Sequence, residues 1–373
     1  MKLDTNQQAF FELMRAGLWE KEAQLLQYGK VDYDEVFRIA DEQSVIGLVT
    51  VGIEHVQDVK IPQDVVLQFI GTSLQLEQQN KVLNDFIVWL IETLRKKDVY
   101  TLLVKGQGIA RCYEMPLWRA SGDVDLLLSD DNYLRAKKVL IPLADNVEQE
   151  YKTFKHIGMT MKGDFVVELH GTLHSRLSSK VDRVVDDVQN DVFCGGNVRS
   201  WNNNGTAVFL PAPDNDVIFV FTHILHHFYI EGIGLRQICD WCRLLWTYKD
   251  TLNHGLLEKR IRKMGLMSEW KAFAAFVVEY LGMPVEAMPL FNANVDLNAN
   301  KKKAKHILKF VLESGNFGYN REVASGKVGS AWNKMKDFAR HARIFPLDSV
   351  KFFFHFLGNG IMLVMSKEIQ NEK

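Results

Sequence analysis

The chain has 373 residues and a mass of 42.9 kDa, about twice the size of a typical single domain, so two or three packed units are expected. Apolar residues make up 47% and charged residues 24%, which excludes wholesale disorder, collagen-like repeats and coiled-coil rods. Because 45 Lys and Arg nearly balance 46 Asp and Glu, the formal charge of -1 gives no global attraction to nucleic acid or to an anionic membrane.

Residues 1–97 are predicted to be helical. Their apolar side chains recur at helical spacing, as in Phe10, Leu13, Met14 and Leu18, and Gly and Pro are confined to a few breaks. The first seven residues lack the apolar core of a secretion signal, and four cysteines are too few for a disulfide framework. A reducing cytoplasm is therefore expected.

Residues 98–212 predict a small α/β unit. Strands are indicated by compact apolar runs, and a helix by apolar spacing between them. The predicted strands are 99–104, 124–128, 155–162 and 165–170, the last two joined by a tight turn at Gly163-Asp164, and the predicted helix is 130–140. Strand, helix and hairpin in this order favour a mixed sheet.

Residues 213–373 are again predicted to be helical. The apolar spacing indicates helices at about 217–229, 234–248, 254–265, 268–281 and 300–313, whereas residues 292–303, rich in Asn and Lys, predict an exposed loop. Residues 350–365 are the most membrane-like stretch, but they are short for a span and contain His355 and Asn359, so a buried or interfacial terminal helix is expected. The predicted fold class is α+β, with a small mixed-sheet core between two helical regions.

The carboxylates of the core predict a divalent-metal site. Asp123 and Asp125 begin an apolar strand, and the period of two places both on the same face. Glu168 lies in a second apolar strand, where a lone carboxylate is costly unless it faces a site. Mg²⁺ prefers carboxylates plus substrate phosphates, and such ions serve phosphoryl or nucleotidyl displacement. On spacing alone, a solvated strand end is the alternative.

Three further residues favour the catalytic interpretation. Gly122 permits close backbone approach beside the carboxylates, and Lys105 with Gly106 ends the preceding strand. Backbone N–H groups and an ammonium in such a turn are suited to phosphates.

These residues resemble the polymerase-β-type nucleotidyltransferase superfamily, whose pattern is an apolar-Gly-[Gly/Ser] turn, an Asp-apolar-[Asp/Glu] strand and a later apolar-[Asp/Glu]-apolar strand. More narrowly, the chain is similar to a bacterial family described only as uncharacterised nucleotidyltransferases. The similarity covers most of the chain and rests on Leu103-Val104-Lys105-Gly106, on Arg119 with Gly122-Asp123-Val124-Asp125, on Val167-Glu168-Leu169-His170 and on Gly234-Leu235-Arg236-Gln237-Ile238-Cys239-Asp240. The sequence departs from the superfamily pattern at Lys105-Gly106-Gln107-Gly108, where Gly-Gly or Gly-Ser is usual.

The resemblance implies metal-dependent transfer of a nucleoside monophosphate from an NTP donor to an acceptor. Asp123 and Asp125 would be ligands of Mg²⁺ (or Mn²⁺), and Glu168 would complete the site and accept the proton of the attacking hydroxyl, directly or through a water. The acceptor is not encoded, since a sugar, another small molecule, a protein or an RNA would use the same metal core.

The resemblance also implies nucleotide-binding residues. Gly106 would approach the phosphates and Lys105 would be a charge partner, unless Lys105 points away. Arg119 would bind the triphosphate or, alternatively, close a surface loop. His170 would touch substrate or orient Glu168, or be a satisfied structural histidine. The remaining pair, Arg236 and Asp240, would line the cleft or simply pair with each other along a helix.

Other histidine and cysteine motifs favour structural roles. His170 and His174 have the i, i+4 spacing of zinc sites, but His170 ends a strand and no Glu lies between them, so a zinc protease is not expected. Cys239 and Cys242 have no second cysteine pair and are interpreted as buried thiols in an amphipathic helix. A group of three histidines is interpreted as a set of core hydrogen-bonding residues: His223, His226 and His227.

Three hypotheses follow from the sequence. The first is a nucleotidyltransferase, the second a non-catalytic nucleotide-binding or scaffold protein of the same fold, and the third a toxin-like transferase acting on RNA. The third would use a C-terminal basic cluster that is otherwise interpreted as a solvated helix face. The cluster comprises Lys327, Lys334, Lys336, Arg340, His341 and Arg343.

Overall fold

The computed structural model describes residues 3–230, 232–316 and 335–365. The N-terminal region is helical, as predicted, and its longest element is α4. The helices are α1 (Thr5–Trp19), α2 (Tyr33–Glu42), α3 (Ile46–Glu54) and α4 (Gln63–Arg95). Asp4 caps α1 by accepting a hydrogen bond from the Gln7 backbone, and Asp32 caps α2 in the same way.

The predicted α/β unit is present as a mixed sheet of five strands among the described residues, in the order β1-β2-β5-β4-β3. Strand β2 is antiparallel to β1 and parallel to β5, and β5 is antiparallel to β4. This confirms the α+β fold with a mixed-sheet core. The elements are β1 (Leu102–Val104), α5 (Gly106–Ala110), β2 (Asp123–Leu127), α6 (Asp130–Leu140), β3 (Asn146–Val147), β4 (His156–Met161) and β5 (Phe165–His170).

The sequence analysis missed the elements between β5 and the C-terminal helices. They are α7 (Ser179–Phe193) and the antiparallel hairpin β6 (Val198–Asn203) and β7 (Thr206–Pro211). Ser178 caps α7, and the hairpin turns at Asn204-Gly205, where both residues have positive φ. The available signals were the Asn204-Gly205 turn dipeptide and the helical spacing of Val181, Val184, Val185 and Val188.

The two faces of the central sheet meet different partners. Alternate residues of β2, such as Val124 and Leu126, pack with β5 and β4 residues against α4 and α6 in one apolar cluster. The intervening residues of β2 include Asp123 and Asp125 and face the other way. Because strand side chains alternate, one face of β2 is committed to the core and the other is available for a site.

The flanking helical regions share a second, larger core. Hydrogen bonds within it join the N-terminal and C-terminal regions across more than 190 positions. Trp19 Nε1 donates to the Leu281 carbonyl, and Gln43 Nε2 donates to the Val311 carbonyl. The C-terminal helices are α8 (Pro213–Ile230), α9 (Leu235–Tyr248), α10 (His254–Met264), α11 (Met267–Leu281), α12 (Ala293–Ser314), α13 (335–342) and α14 (Pro346–Met365). The division of the chain into 1–97, 98–212 and 213–373 stays a prediction.

The predicted loop at residues 292–303 is wrong, because these residues begin α12. Asn292 caps the helix, and the buried Asp296 carboxylate accepts hydrogen bonds from the Asn292 backbone at 2.8 Å and from Lys271 Nζ at 2.9 Å. Asn300 Nδ2 donates to the Asp296 carbonyl. Polar residues that suggested a loop therefore satisfy one another within a helix.

The C-terminal motifs behave mainly as packing elements. Cys239 and Cys242 are buried in α9, as predicted, and burial raises the pKa of both thiols above the usual value. His341 is fully buried and hydrogen-bonds His306, so it does not contribute to a solvated basic face. Lys327 and Lys334 lie outside the described residues. In the parts of the chain that are described, none of the helices combines the length and apolarity of a membrane span.

Asn80 on α4 holds the loop that leads into β2. Its Nδ2 donates to the carbonyls of Leu117 and Arg119 at 2.7 and 2.8 Å, and its Oδ1 accepts from Gln107 Nε2 at 2.7 Å. Asn80 is buried, so these groups have little access to water. The amide thereby connects α4 both to α5 and to the loop between α5 and β2.

We expect Asn80→Ala to lower the free energy of unfolding by about 2–3 kcal/mol, because it leaves two carbonyls and one amide without their buried partner. Urea denaturation followed by circular dichroism measures the change. Gln79→Ala, at the exposed neighbouring position, is the control and should change stability by less than about 0.5 kcal/mol. Equal effects of the two substitutions would show that the Asn80 network is energetically unimportant.

Candidate active site

The register of β2 and β5 brings the three predicted carboxylates together. Asp123 and Asp125 share one face of β2, and Asp125 lies directly beside Glu168 of β5. A ligand oxygen of each of the three carboxylates lies within 4.8 Å of the others. This spacing fits a divalent cation, which takes oxygen ligands from several carboxylates at once.

Two histidines extend this row of side chains. In the β4–β5 hairpin, His156 pairs with His170, two residues beyond Glu168. His170 Nε2 lies 2.8 Å from Asp125 Oδ1 and 3.3 Å from Glu168 Oε2. His156 Nε2 lies 3.2 Å from the same Glu168 oxygen. His170 thus lies where it could orient Glu168, and that role stays a prediction; His156 was missed.

The predicted hairpin could have placed His156 near His170, but a tight turn at Gly163-Asp164 implies a register that differs from the observed one by one residue. A two-residue turn at Gly163-Asp164 would pair Lys162 with Phe165. The observed hairpin pairs Met161 with Phe165 and so has a three-residue connection, in which Lys162 and Gly163 have positive φ. The shift by one residue moves His156 from beside Gly171 to beside His170.

Lys105 points into the site. Its Nζ lies 3.1 Å from Asp125 Oδ1, and the side chain is largely buried. The Lys105 backbone has φ 57 and ψ -146, a region that residues other than glycine rarely adopt, and Gly106 follows with φ 42. The strained turn aims the ammonium at the carboxylates and then starts α5.

The electrostatics distinguish the carboxylates from one another. Burial would raise the pKa of Asp125, but the Lys105 ammonium and the His170 hydrogen bond outweigh it and lower that pKa. Burial is likewise outweighed at Glu168, whose pKa is lowered by hydrogen bonds with His156 and His170. The pKa of Asp123 is raised by repulsion from Asp125 and by burial. Asp123 is therefore the carboxylate whose charge the fold compensates least.

The carboxylates form part of the wall of a cavity of about 410 Å³ between the sheet and helices α8 and α9. Predicted site residues from the core and from α9 line it together: Lys105, Gly106, Arg119, Asp123, Asp125, Glu168, His170, Arg236 and Asp240. Gly122 is exposed beside the cavity, and a Cβ placed on it would meet no atom of the described residues within 4 Å. No described contact of the protein itself thus requires glycine at this position.

Arg119 and Asp240 join the core to α9 through a buried ion pair. Arg119 Nε donates to Asp240 Oδ1 at 3.0 Å and Nη2 donates to Oδ2 at 2.5 Å, while the Tyr113 hydroxyl donates to Oδ1 at 2.7 Å. Arg119 and Arg236 both donate to the carbonyl of Ala120. The pair fixes the segment that precedes Asp123, and Arg119 is a buried residue of the site rather than a surface arginine.

The histidines of α8 hydrogen-bond as predicted, but they also line the cavity, which the sequence analysis missed. His223 and His227 approach within 3.1 Å, and His226 Nδ1 lies 2.8 Å from the Ser175 carbonyl. Burial and the nearby Lys105 charge hold the pKa of His223 well below its usual value, so it is neutral at pH 7. Only a prediction of how α8 packs on the sheet could have placed these residues at the site.

Comparison with known proteins identifies the family. Residues 29–282 match the family model described as "Uncharacterised nucleotidyltransferase", which is more than half of the chain. The chain therefore belongs to this nucleotidyltransferase family. No curated protein and no solved structure is similar enough to this chain to count as a match.

We expect Asp123→Asn and Asp125→Asn to change the metal-free melting temperature in opposite directions. A raised pKa means that the Asp123 charge opposes folding above that pKa, so Asp123→Asn should raise the melting temperature at pH 7 by about 1–3 °C. The lowered pKa of Asp125 means that its charge stabilises the fold above the unfolded value, so Asp125→Asn should lower the melting temperature.

The pH dependence separates the two effects. The gain from Asp123→Asn should disappear below the unfolded Asp pKa of about 4, where Asp123 is protonated in both states. The loss from Asp125→Asn should shrink as the pH falls through the lowered folded pKa. Scanning calorimetry in EDTA between pH 2 and pH 8 covers both transitions, with the exposed Asp131→Asn as control. Changes of the same sign would contradict the charge assignment.

Proposed function

We propose that this protein transfers a nucleoside monophosphate from an NTP to an acceptor hydroxyl, in a reaction that depends on a divalent metal. One observation carries the proposal: Asp123, Asp125 and Glu168 converge within 4.8 Å at the wall of a cavity that cationic side chains also line. Family membership supports nucleotidyl transfer at the level of the reaction class.

The cations of the cavity would bind the triphosphate. Lys105, Arg119 and Arg236 line the cavity beside the carboxylates. Neighbouring guanidinium groups suit the several oxygens of a polyphosphate, which accept bidentate hydrogen bonds. Burial and the adjacent Arg119 charge lower the pKa of Arg236, so an incoming anion would relieve this repulsion. Gly106 would allow the donor to approach the backbone of the strained turn.

The carboxylates would hold Mg²⁺ or Mn²⁺. Bound there, the ion would neutralise charge on the donor phosphates and favour ionisation of the acceptor hydroxyl. Asp123 and Asp125 would be ligands, and Glu168 would complete the set and take the hydroxyl proton, directly or through a water. His170 bridges Asp125 and Glu168 and would orient both carboxylates.

The acceptor would bind along the part of the cavity that is lined by α8 and by the segment after β5, including Ser175 and His226. An RNA acceptor is not favoured by the described part of the C-terminal basic cluster, because His341 is buried and Arg340 lies 3.3 Å from Glu313. Small molecules, sugars and protein side chains fit a cavity of about 410 Å³ more readily.

Calorimetric titration with each of the four NTPs, with and without Mg²⁺, tests the donor site. We expect Mg²⁺-dependent binding of at least one NTP, weakened at least tenfold by Asp123→Asn or Asp125→Asn because a metal ligand is lost. Release of pyrophosphate in the presence of candidate acceptors should fall at least a hundredfold in the same variants.

Asp131→Asn removes a carboxylate that lies outside the cavity and should bind NTP as the wild type does. Normal binding in Asp123→Asn and Asp125→Asn would refute the assigned ligands. Binding without pyrophosphate release from any acceptor would favour the non-catalytic nucleotide-binding alternative.

A further inference from the structure

A second set of potential metal ligands lies across the β4–β5 hairpin beside the carboxylates. Among the described residues, two groups of three side chains are close enough to hold an ion: Asp123, Asp125 and Glu168, and separately His156, Glu168 and His170. We propose that His156, Glu168 and His170 bind a divalent transition-metal ion, so that the active site contains a nitrogen-rich metal position next to the oxygen-only one.

The geometry of the three ligand atoms fits a transition metal. Metal–ligand bonds of about 2.1 Å place neighbouring ligand atoms about 3.0 Å apart in an octahedral site and about 3.4 Å apart in a tetrahedral one. Glu168 Oε2 lies 3.2 Å from His156 Nε2 and 3.3 Å from His170 Nε2, between these two values. Each histidine presents Nε2 to Glu168 Oε2, so one ion can contact all three residues. Metal binding at His170 Nε2 would displace the proton of that nitrogen and replace its hydrogen bond to Asp125.

The backbone makes this set rigid. His156 and His170 are direct cross-strand partners, and Glu168 is two residues from His170 on the same face of β5. The imidazole centroids of His156 and His170 are 4.9 Å apart. All three side chains are partly exposed to the cavity, which leaves room for further ligands such as water or phosphate oxygens.

The donor types predict selectivity. Two imidazoles and one carboxylate suit Mn²⁺, Fe²⁺, Co²⁺ or Zn²⁺, whereas Mg²⁺ prefers oxygen ligands and gives up its water reluctantly. Other close histidine pairs in the described chain are His223 with His227 and His306 with His341, but neither belongs to a group of three ligands. The hairpin set is therefore the stronger candidate.

A role of this second metal position in catalysis rests on the proposed function, because Glu168 belongs to both ligand groups. Binding of the metal itself requires neither NTP nor turnover. Asp123 belongs only to the oxygen group and His156 only to the nitrogen group. Substituting each of these two residues therefore separates the two positions.

Metal titrations of the full-length protein without nucleotide test the proposal. Mn²⁺ binding is followed by electron paramagnetic resonance, Co²⁺ binding by visible absorption and Mg²⁺ binding by calorimetry. We expect His156→Gln to weaken Co²⁺ binding at least tenfold and to remove one of two Mn²⁺ sites, while Mg²⁺ affinity changes less than twofold. Asp123→Asn should weaken Mg²⁺ binding while preserving the Co²⁺ absorption spectrum.

His174→Gln is the matched control, since His174 lines the same cavity but lies outside both ligand groups and contacts Asp186. It should bind all three metals as the wild type does. A measurement on the wild type avoids dependence on the folding of the variant: Co²⁺ should shift two exchangeable imidazole N–H proton resonances far outside the normal range.

The outcomes are separable. Unchanged Co²⁺ affinity and Mn²⁺ stoichiometry in His156→Gln, an equal loss in His174→Gln, or the absence of shifted imidazole resonances would overturn the transition-metal site. Failure of NTP to bind while His156→Gln still loses Co²⁺ would refute the proposed function and leave the metal site intact.

Discussion

The structure depends on the parallel pairing of β2 with β5, which places Asp125 directly beside Glu168. Like charges on neighbouring strands repel, and both carboxylates are removed from much of the solvent, so the pairing is costly unless cations lie nearby. Lys105 and His170 supply that compensation, each within 3.1 Å of Asp125. The strained backbone at Lys105 has a physical reason, because it brings the ammonium to the two neighbouring carboxylates that repel each other.

The flanking helices complete the site rather than merely covering the sheet. Asn80 of α4 holds the segment before β2 from one side, and Asp240 of α9 holds Arg119 of the same segment from the other. These contacts are buried and hydrogen-bonded, which makes them specific in geometry. The position of Asp123 is thus determined by residues more than 150 positions apart in the chain, and residues 98–212 alone would lack the part of the cavity wall that α8 and α9 form.

The sequence predicted the parts of this arrangement that follow from local periodicity. The period of two placed Asp123 and Asp125 on one face, and the apolar neighbours of Glu168 indicated a carboxylate with a role. Register and helix packing were not predictable in this way: a turn longer by one residue brought His156 beside His170. The first turns of α12 were missed because their polar residues hydrogen-bond to one another, and composition alone does not reveal such hydrogen bonds.

Neighbouring cationic groups stabilise the three carboxylates unequally. Asp125 contacts Lys105 and His170, and Glu168 contacts His156 and His170, whereas the pKa of Asp123 is raised by its carboxylate neighbour. An arriving cation therefore gains most by contacting Asp123, where it replaces repulsion with attraction. Because Asp123 begins β2 directly after the loop held by Arg119 and Asn80, the least compensated charge lies on the best-positioned residue. The proposed metal ion would thus supply at Asp123 the compensation that Lys105, His156 and His170 supply to the other two carboxylates.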